Sequence, residues 1–408
     1  MAEAVDLDEA KTARFQEKRE RILDAATLLI NRRGLKGLTF VDVAEKVGLN
    51  TTSVTYYFRR KEMLAAAVLH RTLDRIEAMA DAGAGEATPR ECVRAYVAAN
   101  FELHARVARL QETPVAIISD IRAMKPPLRT ELLDRYLTIF RKLRAYFGPP
   151  ENARQRALST ARAHALLQNM FWLSAWLPEY GVEDYPRARD RLIEIFEHGI
   201  APAGAPWSPE IVPVPKTTGH SQGMPGHYLR TATELINERG YRGASVDEIV
   251  TQLNVTKGSF YHHHDAKDDL VLDCFRQSHL RTALVQQAGQ ALGGDQLHRL
   301  NSVIATLLGV QFFGDFPLLR STALQALPGE WRSDVIEQSD RVARRFAGML
   351  IDGISEGTVR ACDPLIASQV IMASLNAAYD LKKWASGMAP GEAVALYAST
   401  LTHGLFAD

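Results

Sequence analysis

The chain has 408 residues, so more than one hydrophobic core is expected, since single cores seldom grow past about 250–300 residues. Its 48 Lys and Arg balance 48 Asp and Glu, and 46% of its residues are hydrophobic, which excludes disordered and fibrous classes. No uncharged apolar run approaches the roughly 20 residues that cross a bilayer, no signal-peptide core opens the chain, and Cys92, Cys274 and Cys362 are too scattered for disulfides or a CxxC metal knuckle; a cytoplasmic protein without membrane contact is expected.

Along the chain the pattern is helical. Ile22, Ala25, Ala26, Leu29 and Ile30 recur at spacings of three and four, the stripe of an amphipathic helix, and Gly34 suits its left-handed end. Thr39 is an N-cap for a short helix, "FVDVAEKV", with Asp42 three residues on. Gly48-Leu49 make a tight turn, Asn50 caps a third helix, "TTSVTYYF", and a long charged helix follows from Arg60. Further on, "ARAHALLQNMFWLSAWLPEY" (161–180) reads as a helix carrying His164, Gln168, Phe171, Trp172 and Ala175 on one face and stopped by Pro178. Residues 201–226 are rich in Pro, Gly, Ser and Thr and read as an extended linker.

Beyond it the pattern returns. Sliding the chain by 206 residues lays 22–64 over 228–270 without a gap, with about a dozen of the pairs identical, among them Ala26/Ala232, Ile30/Ile236, Asn31/Asn237, Gly34/Gly240 and Leu64/Leu270. Ser245, with Glu248, caps the short helix "VDEIVTQL"; Asn254-Val255 make the turn, Thr256 caps "KGSFYHHH", and a charged helix follows from Asp265. The ends match at nearly the same offset, "FEHGI" (196–200) against "LTHGL" (401–405). Hence both whole halves are duplicated.

Helix, short helix, turn, short helix is the helix-turn-helix of a DNA reader. In both copies, over some 45–50 residues, the sequence resembles the DNA-binding headpiece of the tetracycline-repressor (TetR/AcrR) family of bacterial transcription regulators. The resemblance implies an all-α fold: a three-helix headpiece, a connecting helix and a helical domain that dimerises and holds a small effector. The expected domains are 1–65 and 223–271 (headpieces), 66–202 and 272–408 (effector and dimerisation), and 203–222 (linker). The helix at 161–180 and the last helix of each half correspond to the family's dimerising four-helix bundle. Two units of one chain pairing with each other, and two whole chains pairing, both fit the sequence.

By position in the recognition helix, the readers of base edges are Thr51, Thr52, Thr55 and Tyr56 in the first copy and Lys257, Gly258, Tyr261 and His262 in the second. Arg14, Lys18, Arg19, Thr39, Asn50, Tyr57, Lys61, Ser245, Thr256, His263 and Lys267 complete the candidate DNA contacts. Three consecutive histidines on a helix point about 100° apart, so His262, His263 and His264 do not converge on one metal ion; no metal and no cofactor is expected. His264 stands where the family has Phe, as at Phe58, and Thr51-Thr52 where it has Lys-Gly, as at Lys257-Gly258. Charge separates the copies too: residues 11–71 hold thirteen Lys/Arg against six Asp/Glu, and 216–276 seven against eight. The first headpiece is expected to anchor electrostatically, the second to add weaker and more selective contacts.

For the effector, the resemblance implies a cavity of apolar and aromatic side chains with a few polar groups. Its candidates are His104, Met124, Tyr136, Phe140, Gln168 and Trp172 in the first half and Gln311, Phe312, Phe316, Trp331, Asn376 and Tyr379 in the second, suited to an apolar or aromatic small molecule. No GxSxG, P-loop, HExxH or Rossmann glycine triplet occurs, and an enzyme is not expected. The expected function is a ligand-responsive regulator, a repressor by the family's commoner mode; the alternative is an interaction scaffold whose second headpiece no longer binds DNA.

Overall fold

The computed structural model describes residues 2–35, 37–213, 224–241, 243–263, 266–320 and 329–407; the side chains of 2–12, 119, 120, 123, 224, 225, 262, 263 and 329–331 lie outside the description. Among the described residues there is no strand, and no helix is long and apolar enough to cross a membrane.

The first half contains α1 (Ala2–Arg33), α2 (Phe40–Val47), α3 (Thr51–Tyr57), α4 (Lys61–Ala84), α5 (Pro89–Ala108), α6 (Leu128–Ala145), α7 (Ala153–Trp176) and α8 (Tyr185–His198). The second contains α9 (Met224–Arg239), α10 (Val246–Gln252), α11 (Lys257–His263), α12 (Lys267–Gln290), α13 (Gln296–Phe313), α14 (Gly329–Glu356), α15 (Pro364–Ala377), the short α16 (Lys382–Ala385) and α17 (Pro390–Thr402). The caps lie in the sequence. Thr88, Asn152, Asp295 and Asp363 each accept backbone N–H groups at the starts of α5, α7, α13 and α15, and Pro89, Pro364 and Pro390 sit at first turns, where no donor is lost. Helix α7 ends at Trp176, before Pro178, which falls in a following 3-10 turn.

The halves pack alike. Helix α4 lies against α1, α5 and α6 as α12 lies against α9, α13 and α14. Ile22, Ala26, Ile30, Leu38, Val43 and Val54 fill the first headpiece; Tyr228, Ala232, Ile236, Ile249 and Phe260 fill the second, joined there by Leu319 and Val335 from outside it. Phe260 occupies the register of Val54, so the second copy carries its bulky core aromatic one turn earlier than the first, which uses Phe58.

Across the two halves, α7 and α8 pack against α15 and α17. This is a four-helix bundle closed within one chain. Trp172 donates to Gln369 (2.9 Å), His164 meets the Tyr397 hydroxyl (3.0 Å), and Arg191 pairs with Asp363 across the seam. At its end the two matched tails cross: Ile200 N–H bonds the Leu401 carbonyl at 3.1 Å and Leu405 N–H the Phe196 carbonyl at 2.6 Å. Gly199 and Gly404 permit the crossing. Both have φ in the left-handed region, and a Cβ on Gly199 would lie 2.2 Å from the Thr402 carbonyl oxygen. The described part of the linker is docked on α13, with Glu210 and Val212 donating to Ser302 and Thr306.

Candidate nucleic-acid interface

In the first headpiece the Thr39 hydroxyl accepts from Asp42 N–H and donates to the Asp42 carboxylate. That bond, with Arg33, holds Asp42 below the usual carboxylate range against the opposing effect of burial. Gly48 closes α2 in the left-handed conformation, and Asn50 caps α3 by accepting from Ser53 N–H at 2.7 Å. Helix α3 is thereby fixed with Val54 inward and Thr51, Thr52, Thr55 and Tyr56 outward. Tyr56 is 76% exposed. Phe15 stacks on Tyr57 at 4.7 Å between centroids, and Tyr56 stands edge-on to both. The Thr55 hydroxyl donates to the Thr51 carbonyl, so it offers its methyl and lone pairs outward. Arg14 and Lys18 are exposed along α1; Arg19, half-exposed, lies over the Phe58 ring and beside Glu20. Lys61 opens α4 next to exposed Arg59 and Arg60.

The second headpiece repeats this frame with different chemistry. Ser245 and Glu248 form a reciprocal capping box, which keeps the Glu248 carboxyl below its usual range, backbone bonding at Ser245 being the main cause. Asn254 takes the left-handed turn that Gly48 takes in the first copy, and Thr256 accepts from Ser259 N–H. Lys257, Gly258 and Tyr261 are exposed on α11. Lys257, however, is paired with Asp247 on α10 at 2.6 Å. Lys267 is half-buried, its ammonium donating to the Tyr241 carbonyl and lying 4.1 Å from that ring's centroid. His262 and His263 end α11 with side chains outside the described residues, as is His264 altogether.

Each headpiece is tied to its effector domain by one asparagine at the same register. Asn31 donates to the Val115 carbonyl (2.9 Å) and accepts from Ile117 N–H (3.1 Å). Asn237 donates to the Leu318 carbonyl and accepts from Arg320 N–H, both at 3.0 Å. The sequence pairs these residues as identical but assigns them no role; identity at a polar position inside an apolar stripe was the available signal.

The effector candidates separate. Tyr136 and Gln168 lie near each other on the packed helices α6 and α7; Met124 is buried, and Phe140 packs half-buried on the same core. His104, pulled below the usual imidazole range by burial, bonds the Asn100 carbonyl one turn back. Trp172 points into the bundle seam instead. In the second half Gln311 is held by Leu375 and Leu318, and Phe312 packs edge-on against Trp384 and Tyr397. The Arg281 guanidinium lies over Phe316 at 4.7 Å. Tyr379 is buried and Asn376 half-buried near it; the Trp331 side chain lies outside the described residues.

Two profiles match the chain: that of the bacterial regulatory proteins of the tetR family, at residues 22–68 and again at 229–274, and a tetracyclin repressor-like C-terminal domain at 294–386. The HTH-type transcriptional regulator BetI of Paraburkholderia phytofirmans is 34% identical over 114 residues, 28% of this chain and 58% of that protein. The chain thus spans little more than half the length of that relative. BetI of Burkholderia thailandensis is 30% identical over 161 residues, 38% of this chain and 80% of the relative. Among solved structures, apo AibR aligns at 21% identity and a TM-score of 0.36 over 43% of this chain and 96% of its own. PfmR from Thermus thermophilus aligns at 21% identity and 0.36 over 44% and 98%. The chain belongs to the tetR family of bacterial regulatory proteins and carries that family's amino-terminal unit twice.

Proposed function

We propose that the chain is a ligand-responsive regulator of transcription, acting as a repressor, that grips one DNA operator with both of its own headpieces. The observation that carries this reading is the internal bundle of α7, α8, α15 and α17. It pairs the two halves as a two-fold dimer pairs subunits, with no second chain required. Because α3 and α11 present different residues outward, the operator consists of two unlike half-sites rather than a palindrome. Half-sites centred about 34–36 Å apart would place the two helices in successive major grooves.

The first headpiece supplies most of the phosphate attraction through Arg14, Lys18 and the basic run at 59–61. The second, near neutral and with Lys257 held by Asp247, contributes less affinity and more selectivity. An apolar or aromatic effector inside the helical domains, near Tyr136, Gln168, Met124 and Phe140, would shift α4 or α12 and change the spacing of the headpieces. Selection of bound sequences from a random duplex pool tests the reading. Enrichment of an asymmetric two-part site supports it; a symmetric palindrome, or no enrichment at low salt, contradicts it. The paired Lys257 also favours a second reading, a one-headed binder whose second headpiece no longer touches DNA, and enrichment of a single half-site would point there.

A further inference from the structure

We infer that the junction between the two halves holds a site for the anionic head of a small organic acid, built on Arg320 with Arg122, His164 and Tyr136 around it. The inference rests on the ligand-responsive reading above and names the class of effector.

Arg320 is 5% exposed. One of its nitrogens, Nη2, donates to Asp380 at 2.5 Å, while Nε and Nη1, both buried, have no hydrogen-bond partner among the described residues. The other oxygen of Asp380 takes Arg122 Nη2 at 2.9 Å. Two guanidiniums thus share one carboxylate, and the cluster carries a net positive charge. Tyr136 and Tyr379 stand within reach of this charge, and so does His164. His164 is 4% exposed; its Nδ1 meets the Tyr397 hydroxyl, and its Nε2 has no partner among the described residues. The Tyr397 hydroxyl stands between Nδ1 and the Ser374 carbonyl, 3.3 Å away; with its proton turned to Nδ1, the imidazole carries its own on Nε2, a donor for an anion. The unfilled Arg320 nitrogens are donors beside a positive centre, and His164 Nε2 becomes one in that tautomer. Buried donors left unfilled are costly, and a buried charge needs a counter-charge. A carboxylate answers both needs.

The duplication sharpens the point. Arg320 N–H bonds Asn237 as Ile117 N–H bonds Asn31. The fold therefore accepts an isoleucine at this register, and a buried arginine in one copy alone is not needed to hold the joint. The site also touches the second headpiece directly, since Arg122 Nη1 donates to the Asn237 carbonyl on α9 at 3.1 Å. An anion that recruits Arg320 or Arg122 acts where that headpiece is fastened.

The test is calorimetric titration of the full chain at pH 7 with benzoate and octanoate, each compared with benzyl alcohol and octanol. The acids are expected to bind at least about tenfold more tightly than the alcohols, and Arg320→Gln to remove that difference. Asp380→Asn leaves the guanidiniums less compensated and should tighten acid binding about threefold or more, a gain that a merely structural carboxylate would not give. Should Arg320→Gln fail to fold, Arg122→Gln and Asp380→Asn carry the comparison. Acids that bind no better than alcohols, or an Asp380→Asn chain with unchanged or weaker acid binding, overturn the site. A DNA mobility shift separates the two readings: acid binding without any change in DNA affinity keeps the site and removes its regulatory role. Release of DNA by the neutral compounds alone keeps the regulator and removes the site.

Discussion

Gly199 lies against Thr402: a methyl group on the glycine would come within 2.2 Å of the threonine carbonyl oxygen. The contact is possible only because Gly199 has φ +66°, and it lets the tails of α8 and α17 exchange backbone hydrogen bonds. Gly199→Ala is expected to cost about 2–5 kcal/mol, from the left-handed conformation and the clash together. Gly404→Ala should behave alike, its Cβ meeting the Phe196 carbonyl oxygen at 2.7 Å. Chemical denaturation of the two variants checks this. Surface glycines such as Gly391, with open space around them, serve as controls.

Asn237→Ala would strip the Leu318 carbonyl and the Arg320 amide of their buried partner, at a cost of about 1–3 kcal/mol. The loss should be local, loosening α9 from the effector domain. Hydrogen exchange is expected to quicken at Arg320 and through the second headpiece while the bundle of α7, α8, α15 and α17 keeps its protection. Uniform loss across the chain would show that the asparagine supports the whole fold instead.

On the DNA side, Tyr56→Ala should weaken operator binding about tenfold or more with little effect on melting, since its ring is largely exposed and its ring contacts are edge-on, to Phe15 and Tyr57. Lys18→Ala should lower the salt slope of binding by about one. Asp247→Asn, which frees Lys257, should tighten binding about two- to fivefold at low salt. An unchanged affinity would mean that α11 does not face phosphate.

Burial pulls His164 down to about 4 from an ordinary 6.5, so the folded chain keeps it neutral where the unfolded chain takes up a proton. Stability should therefore fall as pH drops from about 6.5 toward 4, by roughly 3 kcal/mol for this one group. His279, also drawn down to about 4 by burial, adds to the same window. His164→Gln should flatten the dependence, as melting temperature against pH would show.

How much of this could be read from the chain depends on distance along it. The headpiece helices, their caps at Thr39, Asn50 and Ser245, and the turns at Gly34 and Gly240 are local patterns, and they stand where the sequence puts them. The tail glycines were visible as a repeated "HG", but only the fold reveals that they cross each other. Arg122, Arg320 and Asp380 gave no signal. Arg122 and Asp380 lie in short 3-10 helices and Arg320 outside any helix; they meet from positions as far apart as 258 residues, and no periodicity encodes such a meeting. Lys257 looked like a DNA contact because its position was right; its pairing with Asp247 depends on the angle between α10 and α11, which composition does not carry.

The sharpest single measurement is the mass of the protein bound to an enriched operator duplex, by sedimentation equilibrium at low protein concentration. One 45.3 kDa chain per duplex, protecting both half-sites, is the predicted result. Two chains per duplex, with the single chain failing to bind, would contradict the pairing of headpieces within one molecule.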